Sequence, residues 1–137
     1  MPRTFHIDRK NGLVISVYAG ALTHQDVLDQ WTEIGAHPEF DPCLAYLTDL
    51  SAVTEYTISS SEIRELTRRA DPFSFESVRV VIAPKDDLFG IVRMYQMSGD
   101  VHPNLTVVRS YDEASRVFHE YGMNVRLAEA AGSNTPQ

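Results

Sequence analysis

The chain carries one cysteine among 137 residues, Cys43, and a lone thiol cannot form an internal disulfide. Nothing therefore points to an oxidising compartment. No histidine or second thiol stands beside it, so Cys43 reads as a plain packed or half-exposed thiol rather than a metal or redox centre. Basic residues are also scarce: 12 Lys and Arg against 19 Asp and Glu leave a formal charge of −7. That balance argues against a phosphate backbone or an anionic membrane as a general partner, since both attract positive surface. The nearest basic group, Arg64, Arg68 and Arg69, is offset by Glu62, Glu65 and Asp71. No apolar run approaches membrane-spanning length, and the opening "MPRTFHIDRK" lacks an apolar core of signal-peptide type. The expected location is cytoplasmic.

Catalytic signatures are missing as well. His6, His24, His37, His102 and His119 occupy no metal-ligand spacing, and there is no G-x-S-x-G elbow, Walker loop or G-x-G-x-x-G turn. His6 and Asp8 share one side of an edge strand and read as a solvated pair. Asp86 and Asp87 are adjacent, so they point in different directions; helix capping and the helix dipole account for them. The sequence thus predicts no catalytic constellation, no cofactor and no metal.

What is present describes a fold. With 43% hydrophobic and 23% charged residues, the chain has the composition of an ordinary globular domain, and its length suffices for one core. Two extended runs flank Asn11-Gly12, a pair suited to a two-residue hairpin turn. Pairing across it sets His6, Asp8 and Lys10 opposite Val17, Ile15 and Leu13, and Phe5 and Ile7 opposite Tyr18 and Ser16. A helix follows from Thr23, with Asp26 completing a capping box and Val27, Leu28, Trp31 and Ile34 as its buried stripe. "CLAYLTDL" (43–50) and "SVRVVIAP" (77–84) read as inner strands. Between them "SSSEIRELTRRA" is a helix boxed by Ser59 and Glu62. Residues 86–99 form a third helix, capped by Asp86 or Asp87. "NLTVVRS" (104–110) is the last strand, and "SYDEASRVFHEYG" the last helix, boxed by Ser110 and Glu113 and stopped by Gly122. Strands alternating with helices imply a mainly parallel sheet, with the hairpin at one edge. One domain spans 1–121. The extension 122–137 allows a helical turn at 125–131, and its last six residues read as a disordered tail.

Two stretches exceed what the fold requires. In "PKDDLFGIVRMYQMSGD" (84–100), Leu88, Val92, Tyr95 and Gly99 share the face that would cover a sheet, with Ile91 and Ser98 beside it. Phe89, Met94 and Met97 fall elsewhere, around Gly90 and Arg93. Large apolar residues on a nominally outer surface suggest a contact. Its occupant is a second subunit or another protein, a bound apolar ligand, or the C-terminal extension laying Val125 and Leu127 over Met94. The second stretch is "TDLSAVTEYTISSSEI", which brings three serines to a helix N-terminus. A phosphate there would meet free backbone N–H groups; otherwise Ser59 caps the helix and the others are solvated.

These pieces together resemble the SpoIIAA-like family, related to the STAS domains of anti-sigma factor antagonists and sulfate transporters. The resemblance covers roughly residues 4–121. It rests on "ISVYAGALTHQDV", "LAYLTDLSAV" and "VIAPKDDLFGIVRMYQ" followed by "LTVVRSYDEASRVF", with "FGIVRMY" the most distinctive piece. It implies an α/β fold: a mostly parallel five-stranded sheet of order 1-2-3-4-5, the first strand antiparallel, with four helices in a right-handed superhelix. STAS relatives mostly act as non-enzymatic modules that bind protein partners, some through a phosphorylated serine. Here Asp49-Leu50-Ser51 leads to "TISSSE", which leaves Ser59 or Ser60 to carry such a switch. Some SpoIIAA-like proteins also look similar to lipid-carrying domains. The leading expectation is a non-catalytic, homodimeric interaction module using Phe89, Gly90, Arg93, Met94 and Met97. The alternative is a carrier or sensor of a small apolar or lipid-like ligand, with Trp31, Tyr46, Phe89 and Tyr95 near its pocket.

Overall fold

Asp8 governs the first turn. Its carboxylate accepts from the Asn11 backbone N–H at 3.1 Å and from Asn11 Nδ2 at 2.7 Å. The Gly12 N–H donates to the Arg9 carbonyl at 3.2 Å. The turn therefore spans Arg9 to Gly12, and Gly12, at φ 70°, is its left-handed residue. Asn11 does not share that conformation, so the two-residue turn expected from Asn-Gly is not formed. In this computed structural model, which describes residues 3–68, 71–97, 103–125 and 127, β1 (Arg3–Asp8) and β2 (Leu13–Leu22) pair antiparallel. Phe5 lies opposite Ser16 and Ile7 opposite Val14. The expected register is thus corrected by two residues. Because side chains alternate with period two, the shift leaves every residue on its expected face.

β2 pairs in parallel with β3 (Ala45–Tyr56), β3 with β4 (Arg79–Ile82) and β4 with β5 (Leu105–Val108). The sheet order is β1-β2-β3-β4-β5, as the resemblance implies. β3 runs on past the expected end at Leu50 to Tyr56. Its extension pairs with Ala19–Leu22 across register shifts between Val17 and Ala19 and between Gly20 and Ala21. Such irregularities interrupt strict alternation, which hides this half of the strand from a period-two reading.

The caps fall where expected, with one exception. In α1 (His24–Ala36), Thr23 and Asp26 exchange both bonds of a capping box. Before α2 (Ser60–Arg68), the Ser59 N–H donates to Glu62 Oε1 at 2.9 Å and the Glu62 N–H to Ser59 Oγ at 3.2 Å. In α4 (Tyr111–Glu120), Ser110 Oγ accepts from the Glu113 N–H, and Gly122 at φ 80° follows the far end. The exception is α3 (Asp86–Met97), where both aspartates lie inside the first turn. Asp87 Oδ1 accepts from the Leu88 N–H at 2.8 Å, while Asp86 Oδ1 accepts from Arg109 Nη1 at 2.7 Å.

The helices divide between the two faces of the sheet. On one face, Leu13, Ile15, Leu47, Val80 and Ile82 pack with Ala114 and Phe118 of α4. Phe118 is completely buried and anchors this layer; trimming such a residue to alanine costs about 3–5 kcal/mol. Val125 and Leu127 are buried in the same layer. They cannot also cover Met94, whose helix packs on the other side, so that expectation is corrected. The helical turn expected at 125–131 and the expected tail lie largely outside the described residues. On the opposite face, Tyr18, Leu22, Leu50 and Val53 meet Leu88 and Val92 of α3, while Val14 and Tyr46 meet Ile34 of α1 and Phe73. Among the described residues, no helix is long and apolar enough to cross a membrane.

Candidate functional site

The face under α1, α2 and α3 is not fully packed. Between these helices and the sheet lies a partly open cavity of about 120 Å³. Alternation along the strands brings Tyr18, Tyr46, Thr48 and Val81 to its floor. The helices contribute Val27 and Trp31, Ile63 and Leu66, and Val92 and Tyr95. Most of these groups are hydrocarbon or aromatic, so burial of apolar surface is what the cavity offers a guest.

Its polar atoms are few, and most are already engaged. The Tyr46 hydroxyl is 2.8 Å from Ser16 Oγ. Gln30, fully buried on α1, donates through Nε2 to Ser16 Oγ at 3.2 Å and to the Thr4 carbonyl at 2.6 Å. Its Oε1 accepts from Arg3 Nη1 at 3.0 Å, and Arg3 Nη2 donates to Glu33 at 2.7 Å. A relay of polar side chains thus runs from the surface to Tyr46. Burial, partly countered by the Ser16 bond, pushes the Tyr46 phenol up to about 12. At another wall Arg79 and Asp71 form a buried ion pair. Arg79 Nε and Nη2 donate to the two Asp71 oxygens at 2.9 and 2.7 Å. Nη2 also reaches the Ser74 carbonyl at 3.1 Å, and Nη1 the Ser77 and Phe75 carbonyls at 3.0 and 3.5 Å. The guanidinium is fully committed to protein acceptors.

Tyr18 is different. It is 3% exposed, and its hydroxyl lies beside the Tyr46 phenol without a hydrogen bond of good geometry among the described residues. Burial raises its pKa well above the ordinary tyrosine value, with the nearby Tyr46 hydroxyl adding to the effect.

The residues singled out from the sequence separate into three places. Trp31, Tyr46 and Tyr95 come together around the cavity. Phe89 does not join them: it is half-buried, with the Arg109 guanidinium carbon 4.2 Å from its ring centroid. Gly90, Arg93, Met94 and Met97 are exposed on α3, Met94 at 41% and Met97 at 74%. Ser59 and Ser60 are exposed at the start of α2. The Ser59 hydroxyl lies 3.2 Å from Glu62 Oε1, so a phosphate on it would face a carboxylate. The Ser59 N–H holds that carboxyl below its ordinary value of 4.5.

Two residues of the cavity wall, Asp71 and Tyr18, and one behind it, Gln30, escape a reading of the sequence. Gln30 is a polar position flanking the α1 stripe, and Asp71 follows the arginines of α2 like a surface counter-charge. Tyr18 reads as one more strand residue. The available signal is the set of polar-tipped residues Ser16, Tyr18, Tyr46 and Thr48 on one face of an otherwise apolar sheet.

The fold is that of SpoIIAA-like proteins. A solved structure of an uncharacterised protein of the DUF3478 family with a SpoIIAA-like fold, from Shewanella loihica, superposes with a TM-score of 0.54 at 12% sequence identity. The match covers 83% of this chain and 91% of that one. No protein-family model matches the sequence, and no curated protein matches it.

Proposed function

We propose that this protein is a non-catalytic module that binds a small apolar molecule in the cavity beneath α1–α3, as a carrier or sensor. The observation that carries the reading is the cavity itself, about 120 Å³ lined by aromatic and aliphatic side chains. Protein interiors are otherwise packed with few voids larger than a water molecule. An apolar cavity of about 150 Å³ takes up benzene, so the space suits one six-membered ring rather than an acyl chain. Trp31 is the single tryptophan and lines the cavity, which gives the test its reporter. Titration with toluene or methylcyclohexane should shift or quench Trp31 emission saturably. Val92→Phe, which fills the space from α3, should abolish the change. Emission indifferent to every such compound in the wild type would remove the reading.

A second reading is favoured by the exposure of Met94 and Met97: a protein contact, with a second copy of the chain as the partner. Methionine suits adaptable contact surfaces. Met94→Lys with Met97→Lys should then convert dimer to monomer in light scattering. Wild type that is monomeric at high concentration dismisses this reading.

A further inference from the structure

We infer that the outer face of α3 pairs with α3 of a second copy of this chain, antiparallel, with Arg93 of each copy held by Asp86 of the other. The pairing rests on the protein-contact reading above and adds the partner's orientation and the charges that set it.

Three observations lead to it. First, the outer face is a continuous seam. At 100° per residue, Asp86, Gly90, Arg93 and Met97 fall within about 60° of one another. All four are exposed, Met97 at 74%. Their spacing is the one by which two helices meet along a seam. Leu88 and Val92 are buried on the opposite side of α3, against the sheet, so the seam takes nothing from the core. Second, a Cβ added at Gly90 would meet nothing within 4 Å. The middle of the seam is therefore low and open, which lets a facing helix approach closely. Third, the charges match in one orientation. Among the described residues Arg93 has no hydrogen-bond or ion-pair partner. Asp86 is 93% exposed and gives Oδ1 to Arg109 at 2.7 Å, which leaves Oδ2 for a second donor. Seven residues separate Asp86 from Arg93, about 10 Å along the axis, too far to pair within one helix. A parallel second copy would set Arg93 beside Arg93. An antiparallel copy, related by a two-fold axis passing near Gly90, sets Arg93 level with Asp86 of its neighbour on the same flank, twice over. This exchange orients two chains that each carry a formal charge of −7 and otherwise repel. One helix face is small beside a standard interface of about 1,600 Å², so the pairing is weak and needs concentrated protein.

Sedimentation equilibrium of the full chain reads it. Arg93→Glu and Asp86→Lys should each weaken self-association about 10–30-fold, because each exchanges two attractive pairs for two repulsive ones. An equimolar mixture of the two variants should dimerise as wild type does, since the introduced charges then face opposite ones across the seam. A second readout needs no charge reversal. With the exposed Cys43 removed, Gly90→Cys in a Cys43→Ser background should cross-link to itself on thiol oxidation, because the axis brings the two positions together. Undiminished self-association of Arg93→Glu, a mixture that stays monomeric, or no cross-link at Gly90→Cys would each overturn the inference. If Met94→Lys with Met97→Lys still converts dimer to monomer in those cases, the protein-contact reading survives alone. Wild type that is monomeric at millimolar concentration removes both and leaves the face to a different partner.

Discussion

Removing the Asp71 carboxylate should be among the most damaging single changes to this fold. In Asp71→Ala, Arg79 loses bonds of 2.7 and 2.9 Å, and the Phe73 N–H loses its acceptor at 3.1 Å. Arg79 is 4% exposed, so its charge cannot turn to water without moving β4. Breaking a buried pair by removing one partner costs about 3–5 kcal/mol. Two charge-assisted hydrogen bonds at about 1.5–3 kcal/mol each give a similar range. Unfolding entropy near the midpoint is about 2.1 cal/mol/K per residue, or roughly 0.3 kcal/mol/K for a chain this size. The thermal midpoint, read by circular dichroism, should therefore fall by about 10–17 °C. A sharper test is the double variant Asp71→Leu with Arg79→Met. No charge of the pair is left buried there, and what remains is the loss of donors to the Ser74, Phe75 and Ser77 carbonyls. The double variant should thus be more stable than either single one, by about 1 kcal/mol or more. Single variants within about 1 kcal/mol of wild type, or costs that simply add, would refute the account.

The tyrosines make the fold sensitive to alkali. Tyr18, Tyr46, Tyr95 and Tyr111 all have pKa values raised chiefly by burial, Tyr46 to about 12. A raised phenol pKa contributes stability that is complete below the unfolded value of 10 and is lost as pH climbs toward the folded one. Unfolding should therefore become easier above that value, and phenolate absorbance of these four should appear together with loss of structure; independent titration in the folded protein would contradict it. The Tyr111 hydroxyl donates to Asp49 Oδ2 at 2.6 Å, tying α4 to β3. Tyr111→Phe should cost about 1.5–3 kcal/mol in urea unfolding, and a loss below about 0.5 kcal/mol would show that water replaces the bond.

The architecture is legible in the sequence because its signals are local. Thr23 with Asp26, Ser59 with Glu62 and Ser110 with Glu113 each mark a helix start within four residues; the first two pairs form both bonds of the box, while at α4 Ser110 caps the Glu113 N–H and the Glu113 carboxylate accepts instead from the Arg109 N–H at 3.5 Å. The errors arise where the deciding interaction is one step less local. Asp8 reaches over Arg9 and Lys10 to hold Asn11, which lengthens the turn and moves the hairpin register. The register shifts opposite β3 break the alternation by which its second half would be recognised.

The candidate site is less legible for the same physical reason, carried further. A cavity is a property of what three helices and a sheet fail to fill, and no short segment encodes an unfilled volume. The aromatic residues Trp31, Tyr46 and Tyr95 can be proposed as neighbours because each lies on an inward face. Whether a polar tip among them is satisfied depends on partners distant in sequence. Tyr46 meets Ser16 thirty residues away, and Ser16 in turn is held by Gln30 from α1. Tyr18, two positions along β2 from Ser16 and on the same face, has no such partner among the described residues. The same face of one strand thus carries one hydroxyl held in a chain of hydrogen bonds and, beside it, another without a well-formed bond.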